Sequence, residues 1–234
     1  MKKFYLYFVL CFLIILACNK ATAVQKHVFM VDNDLAVVNK NTVKFFRRYW
    51  NGWTEIPAME LNLPNGYRHV FGFMDFTCVV VGNTLSFLLH DSVGWSENPL
   101  LRLYLPNGGS SVFSLHGLIG VVNNNTAKFF GLDRDYGWTE FPFEINLPIG
   151  FSSVFGGVDL IGVVVGNTVK FFRLERDGWI EMPRLEFNLP DGHRSVFLSS
   201  VFLTVGVVVD NKVKFFQNVV YQWRESPEME FTIP

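Results

Sequence analysis

Gly162-Val163-Val164-Val165-Gly166-Asn167-Thr168-Val169-Lys170-Phe171-Phe172 is the stretch that decides the fold. Two apolar, β-branched runs flank Gly166-Asn167, a glycine-first pair suited to the tight two-residue turn of a β-hairpin. Apolar side chains fall on both faces of the ribbon this makes, and a sheet with two apolar faces must be covered on both. No sustained helical apolar period runs through it.

Working outward, residues 153–156 read as a first short strand and 161–165 as a second. Residues 168–174 and 179–182 follow as a third and fourth, the last ended by Pro183. Residues 185–189 read as an extended connection or an extra strand, and Pro190-Asp191-Gly192 as a turn. A two-residue turn at Glu175-Arg176 sets Phe172 opposite Trp179 and Lys170 opposite Glu181. The same arithmetic sets Lys44 opposite Glu55 and Lys214 opposite Glu225. One more residue separates Lys128 from Glu140, so that turn is longer, and Ser86 faces Glu97 with no cation. Cross-strand pairs of this kind contribute about 0.2–1 kcal/mol each.

The same landmarks recur along the chain. Val-Phe stands at Val28-Phe29, Val70-Phe71, Val112-Phe113, Val154-Phe155 and Val196-Phe197, each step 42 residues. A turn asparagine recurs as Asn41, Asn83, Asn125, Asn167 and Asn211. W-x-E-x-P begins at Trp53, Trp95, Trp138, Trp179 and Trp223, and Leu-Pro or Ile-Pro ends each copy. Repetition at this period marks an array of β units, and four strands in about 40–45 residues is the size of one propeller blade. Five repeats, approximately 25–66, 67–108, 109–150, 151–192 and 193–234, predict an all-β, five-bladed β-propeller with four antiparallel strands per blade. Like sheets packed face to face in a ring cover one another's apolar faces. The repeat phase predicts closure by packing of whole blades, with no strand-swapped blade. The competing architecture is an open β-solenoid, whose terminal repeats should be polar on the outside.

Residues 1–23 read as a signal peptide: Lys2-Lys3, an apolar run over 4–17 too short to span a membrane, and Ala21-Thr22-Ala23 as a cleavage pattern. This predicts a secreted, extracellular or periplasmic protein. The alternative takes Ile15-Leu16-Ala17-Cys18 as a loose lipobox, with membrane attachment only through a lipid anchor at Cys18. The whole chain has a formal charge of −1, and loss of residues 1–23 removes three lysines and no acid. A mildly acidic protein has no electrostatic reason to bind nucleic acid. Cys78 then stands alone among valines and reads as a buried, inert thiol.

Over 24–234 the motif order resembles hemopexin-type repeats: Gly162 to Phe172 as above, then Gly178-Trp179, then Phe187-Asn188-Leu189-Pro190. That family has four blades, an Asp-Ala pair where Ile161-Gly162 stands here, and a closing disulfide that a lone Cys78 cannot form. The resemblance therefore implies propeller geometry, and not haem, matrix or metal binding. Five equal blades are also similar, in architecture and repeat count, to the tachylectin group of sugar-binding propellers.

No H-E-x-x-H, G-x-S-x-G, phosphate loop or dinucleotide fingerprint is present, and no enzyme, metal or cofactor is expected. Asp32, Asp34, Asp75 and Asp159, near the ends of first strands, are the carboxylates a five-bladed glycosidase would need in its channel. Near-identical repeats argue against one asymmetric active site. Function on a propeller belongs to its loops. The face gathering the tight turns and Pro-x-Gly connections carries Asn41, Asn83, Asn125, Asn167 and Asn211 with Asn65, Tyr67, Asn107, Phe151 and Asp191. Repeated amides and aromatics there suit glycans, held multivalently. The opposite face carries divergent turns with Tyr49, Trp50, Tyr136 and Tyr221, suited to an extracellular protein partner. The recurring tryptophans read first as blade packing.

Overall fold

A computed structural model describes residues 27–106, 109, 111–115, 117–133, 137–157, 159–199 and 203–234. The signal segment, Cys18 and Asn107 lie outside the described residues. The chain forms five sheets, each drawn wholly from one repeat. In the fourth, the strands are Phe151–Gly156, Leu160–Val165, Thr168–Glu175 and Gly178–Glu181, antiparallel in that order from the centre outward. A two-residue strand, Phe187–Asn188, pairs with the upper end of the third strand, beyond the reach of the fourth. The 185–189 segment is therefore both connection and strand, entered through a short 3-10 turn at Pro183–Leu185.

The innermost strands His27–Val31, Tyr67–Phe73, Ser111–Leu115, Phe151–Gly156 and His193–Leu198 are neighbours in sequence order, and the fifth returns to lie against the first. Five separate apolar cores sit between successive blades. One of them joins Phe197, Val208 and Phe215 of the last blade to Val28, Leu35 and Phe46 of the first. The ring is closed by packing, and the open solenoid is excluded. The two adjacent aromatics of each third strand explain how a blade serves two neighbours. Phe172 enters the core shared with the third blade, and Phe171 the core shared with the fifth.

Phe45, Phe87, Phe129, Phe171 and Phe215 are the largest fully buried side chains. On each lies the tryptophan of the following blade, at ring distances of 5.3 Å for Phe45–Trp95, 5.4 Å for Phe87–Trp138, 4.9 Å for Phe129–Trp179, 5.5 Å for Phe171–Trp223 and 5.8 Å for Phe215–Trp53. The tryptophans do pack blades, but between sheets and not within one. The register explains the difference. The turn falls at Arg176-Asp177, so Phe172 faces Glu181 and Trp179 faces Leu174. The expected pairing was two residues out, which leaves every side chain on its expected face.

The ion pairs survive as diagonals: Lys44–Glu55 and Lys170–Glu181 at 2.8 Å, Lys128–Glu140 at 2.7 Å and Lys214–Glu225 at 3.0 Å. Glu97, expected to lack a cation, takes two hydrogen bonds from Arg102 on the next connection. Those bonds, with one from Ser86, hold its carboxyl below the usual range. Cys78 is fully buried, and burial pushes its thiol well up, as expected of an inert cysteine. It shares a repeat position with Ala36, Gly120, Gly162 and Gly206. A Cβ on Gly162 would lie 2.3 Å from the Phe155 ring, which lies across the strand at that point.

Candidate functional site

The strand directions place both the turns near residues 40, 82, 124, 166 and 210 and the Pro-x-Gly connections on one face, here called the turn face. At its centre the innermost strands surround a funnel of about 570 Å³. Its wall is built by an interruption of the sheet. Tyr67 pairs with Val81 but His69 with Val80, leaving Arg68 as an extra, bulged residue. Ser152 and Arg194 are the extra residues at the same place in the fourth and fifth blades. A bulge breaks the alternation of a strand and re-aims one side chain. Here all three bulged residues line the funnel, where strict alternation would alternate them with the next position.

That next position is occupied by His27, His69, Ser111, Ser153 and Ser195, which also line it. Lys40 adds a third cation beside Arg68 and Arg194, and no Asp or Glu is among the described lining residues. Lys40 is held at φ 54, a left-handed conformation that glycine supplies at Gly82 and Gly166. Its carbonyl accepts the Tyr67 hydroxyl at 2.7 Å. His27 Nε2 donates to the Val70 carbonyl at 3.0 Å. His27 is exposed where it lines the funnel, but desolvation by the protein around the ring pushes its pKa below the ordinary 6.5, opposed by the Val70 bond and assisted by His69.

The funnel narrows toward the opposite face. A Cβ on Gly72 would lie 1.8 Å from the Met30 carbonyl oxygen, and one on Gly156 would lie 1.9 Å from that of Ser114, so adjacent inner strands approach closely there. Below is a smaller cavity of about 140 Å³ lined by Met30, Asp32, Phe73, Met74 and Leu198, with glycines. The carboxylates considered for catalysis lie at this lower end and none lines the funnel. Asp34 is buried and accepts two hydrogen bonds from Arg47, at 2.8 and 2.7 Å. Among the described residues, no three His, Cys, Asp or Glu side chains gather as a metal site.

Among the described residues, Tyr67 is the one member of the predicted glycan set that lines the funnel. The turn asparagines stand outside it, and their carbonyls fasten the connections. Asn41, Asn83, Asn125, Asn167 and Asn211 accept the amides of Leu63, Leu105, Leu147, Leu189 and Ile233 at 2.7–2.8 Å. Asn41 also donates to Asn65 at 3.3 Å, and Asn211 to the Ile233 carbonyl at 2.6 Å. Phe151 packs on the core between the third and fourth blades, and Asp191 is exposed in its turn. On the opposite face Trp50 is 97 % exposed, and Tyr49 and Tyr221 are open as well; Tyr136 lies outside the described residues. The cations were missed because a bulge has no periodic signature. The one hint in the sequence is a doublet of polar residues, Arg68-His69 or Arg194-Ser195, before Val-Phe.

No family model matches the chain, so the resemblance to hemopexin-type repeats gains no support from that comparison. No curated protein matches it either. Among solved structures, Hsv2 of Kluyveromyces lactis is similar at 14 % identity and TM-score 0.48, over 86 % of this chain and 62 % of that one. A functionally unknown protein from Desulfotomaculum acetoxidans is similar at 13 % identity and TM-score 0.44, over 89 % and 69 %. A protein from Lactobacillus plantarum is similar at 13 % identity and TM-score 0.46, over 87 % and 70 %.

Proposed function

We propose that this propeller is a non-enzymatic carbohydrate-binding module acting outside the cytoplasm, and that it seats an acidic sugar in the turn-face funnel. The carrying observation is a concave wall of hydroxyl and imidazole groups rimmed by Lys40, Arg68 and Arg194, with no carboxylate among its described residues. Among the described residues neither Arg68 nor Arg194 has an ion-pair partner. Serines and histidines can bond sugar hydroxyls in either direction, and guanidinium forks suit carboxylate or sulfate groups. The turn asparagines then act as the frame of the site, with Tyr67 as the contact the frame and the funnel share.

The test is calorimetric titration with a sulfated heparin-type disaccharide and a neutral disaccharide bearing neither carboxylate nor sulfate. Replacing both Arg68 and Arg194 by serine, the residue at the equivalent bulge in the fourth blade, leaves the fold a residue it already uses there. The sulfated sugar should bind more tightly, weaken as salt is raised, and lose about tenfold or more in affinity in the double variant, since charged hydrogen bonds contribute about 1.5–3 kcal/mol each. Equal affinity for both sugars, or none for either, contradicts the reading.

A second reading rests on the opposite face, where Tyr49 and Trp50 of the first blade and Val220 and Tyr221 of the adjoining fifth are exposed. Val220 and Tyr221 are both held at positive φ, 52 and 63, without glycine, and such strain concentrates at functional positions. Exposed aromatics of that kind fit a protein partner.

A further inference from the structure

At four places on the rim a 3-10 turn meets the tryptophan of the next blade, and at the fifth it does not. In four copies a 3-10 turn, Pro57–Met59, Pro99–Leu101, Pro183–Leu185 or Pro227–Met229, lies beside the tryptophan of the next blade. Its last residue does two things. The Met or Leu side chain packs against the core that this tryptophan borders. Its carbonyl accepts the indole N–H: Trp95 to Met59 at 3.0 Å, Trp138 to Leu101 at 2.7 Å, Trp223 to Leu185 at 2.9 Å and Trp53 to Met229 at 2.9 Å.

The third copy lacks that residue. Pro142-Phe143-Glu144-Ile145 is one residue shorter than Pro57-Ala58-Met59-Glu60-Leu61 and forms no 3-10 turn. Trp179 Nε1 is consequently buried with no hydrogen-bond partner. An open groove of about 590 Å³ lies beside it, lined by Phe143, Glu144, Phe172, Asp177, Trp179 and Glu181 among others. It stands on the outer edge between the third and fourth blades and shares no lining residue with the funnel.

We propose that this notch is a peptide-docking site, and that its occupant is a partner's turn presenting a Leu or Met carbonyl to Trp179 with a Lys or Arg beside it. The first half of that specification comes from the molecule itself, which fills the equivalent notch with Met or Leu in the other four copies. The second half is charge complementarity: three carboxylates line the groove, of which Glu181 pairs with Lys170 at 2.8 Å, Glu144 shares Lys128 with Glu140, and Asp177 has no cation partner among the described residues. The inference is independent of the sugar reading, because no residue is common to the two sites.

The probe is a synthetic peptide of residues 182–187, the segment that fills the notch in the fourth copy, carrying Glu186→Lys. Binding is read by fluorescence anisotropy of the labelled peptide, and by indole N–H resonances in a ¹⁵N-labelled sample. The peptide should bind the whole protein and shift the Trp179 indole resonance. Trp179→Phe, which keeps a ring and removes the donor, should weaken it about fivefold, the size of one net hydrogen bond. A leucine inserted between Phe143 and Glu144 should fill the notch from within and abolish binding. If that insertion does not fold, Trp179→Phe and the indole resonance decide alone. No peptide binding at millimolar concentration, or binding undiminished in Trp179→Phe or in the folded insertion variant, overturns the proposal.

Discussion

Trp179 and Trp223 make the same contact with the preceding blade's phenylalanine, at 4.9 and 5.5 Å, yet only Trp223 reaches a carbonyl. Replacing each by phenylalanine separates ring from donor. Trp223→Phe should destabilise the protein by about 1 kcal/mol, while Trp179→Phe, which removes a buried donor without a partner, should be neutral or stabilising. Urea unfolding of the two variants measures this, and equal losses would contradict it. His27 offers a second test. Its folded-state pKa lies below the unfolded 6.5, so the unfolded chain takes up a proton that the folded chain refuses. Its contribution is complete above pH 6.5 and declines as pH falls below it. His27→Ser, the residue of the equivalent Ser111, Ser153 and Ser195, should lose less melting temperature between pH 7.5 and 5.5 than the wild type does; an identical loss would contradict the assignment. At this scale the recurring tryptophans were legible as packing residues, because a large apolar ring repeated at one position marks burial, but not which sheet each ring would meet.

At the scale of the element, the strands and the alternation of their faces were legible because apolar period is a direct consequence of burial. The hairpin register was not. A shift of two residues preserves every face, so the pattern alone cannot choose between Glu175-Arg176 and Arg176-Asp177 as the turn. The bulges at Arg68, Ser152 and Arg194 were hidden for a related reason: each inserts one residue that no periodicity predicts, and each carries a funnel residue. The shortened third connection was visible as a missing residue after Pro142, but its consequence needed the neighbouring blade. Packing within a blade yields its own prediction. Gly162→Val would drive a side chain into the Phe155 ring and should cost about 1–3 kcal/mol, the usual range for an overfilled core. A thermal melt unchanged by Gly162→Val would show that the ring can move aside freely.

For the whole molecule, five copies and two apolar faces imply a ring, because a stack of such sheets leaves two bare faces unless it closes. What the copies share explains the frame, and what they do not share locates the candidate sites. Lys40, Arg68 and Arg194 break the equivalence at the centre, and the shortened third connection breaks it at the rim. Closure itself is carried by contacts between the first and last blades, among them Trp53 on Phe215 at 5.8 Å. A double-mutant cycle of Trp53→Ala and Phe215→Leu tests it, with Trp223→Ala and Phe171→Leu as the reference pair inside the ring. Aromatic pairs couple by about 0.5–1.5 kcal/mol, and the two cycles should give the same coupling. Normal coupling for Trp223 with Phe171 but none for Trp53 with Phe215 would mean that the first and last blades do not meet.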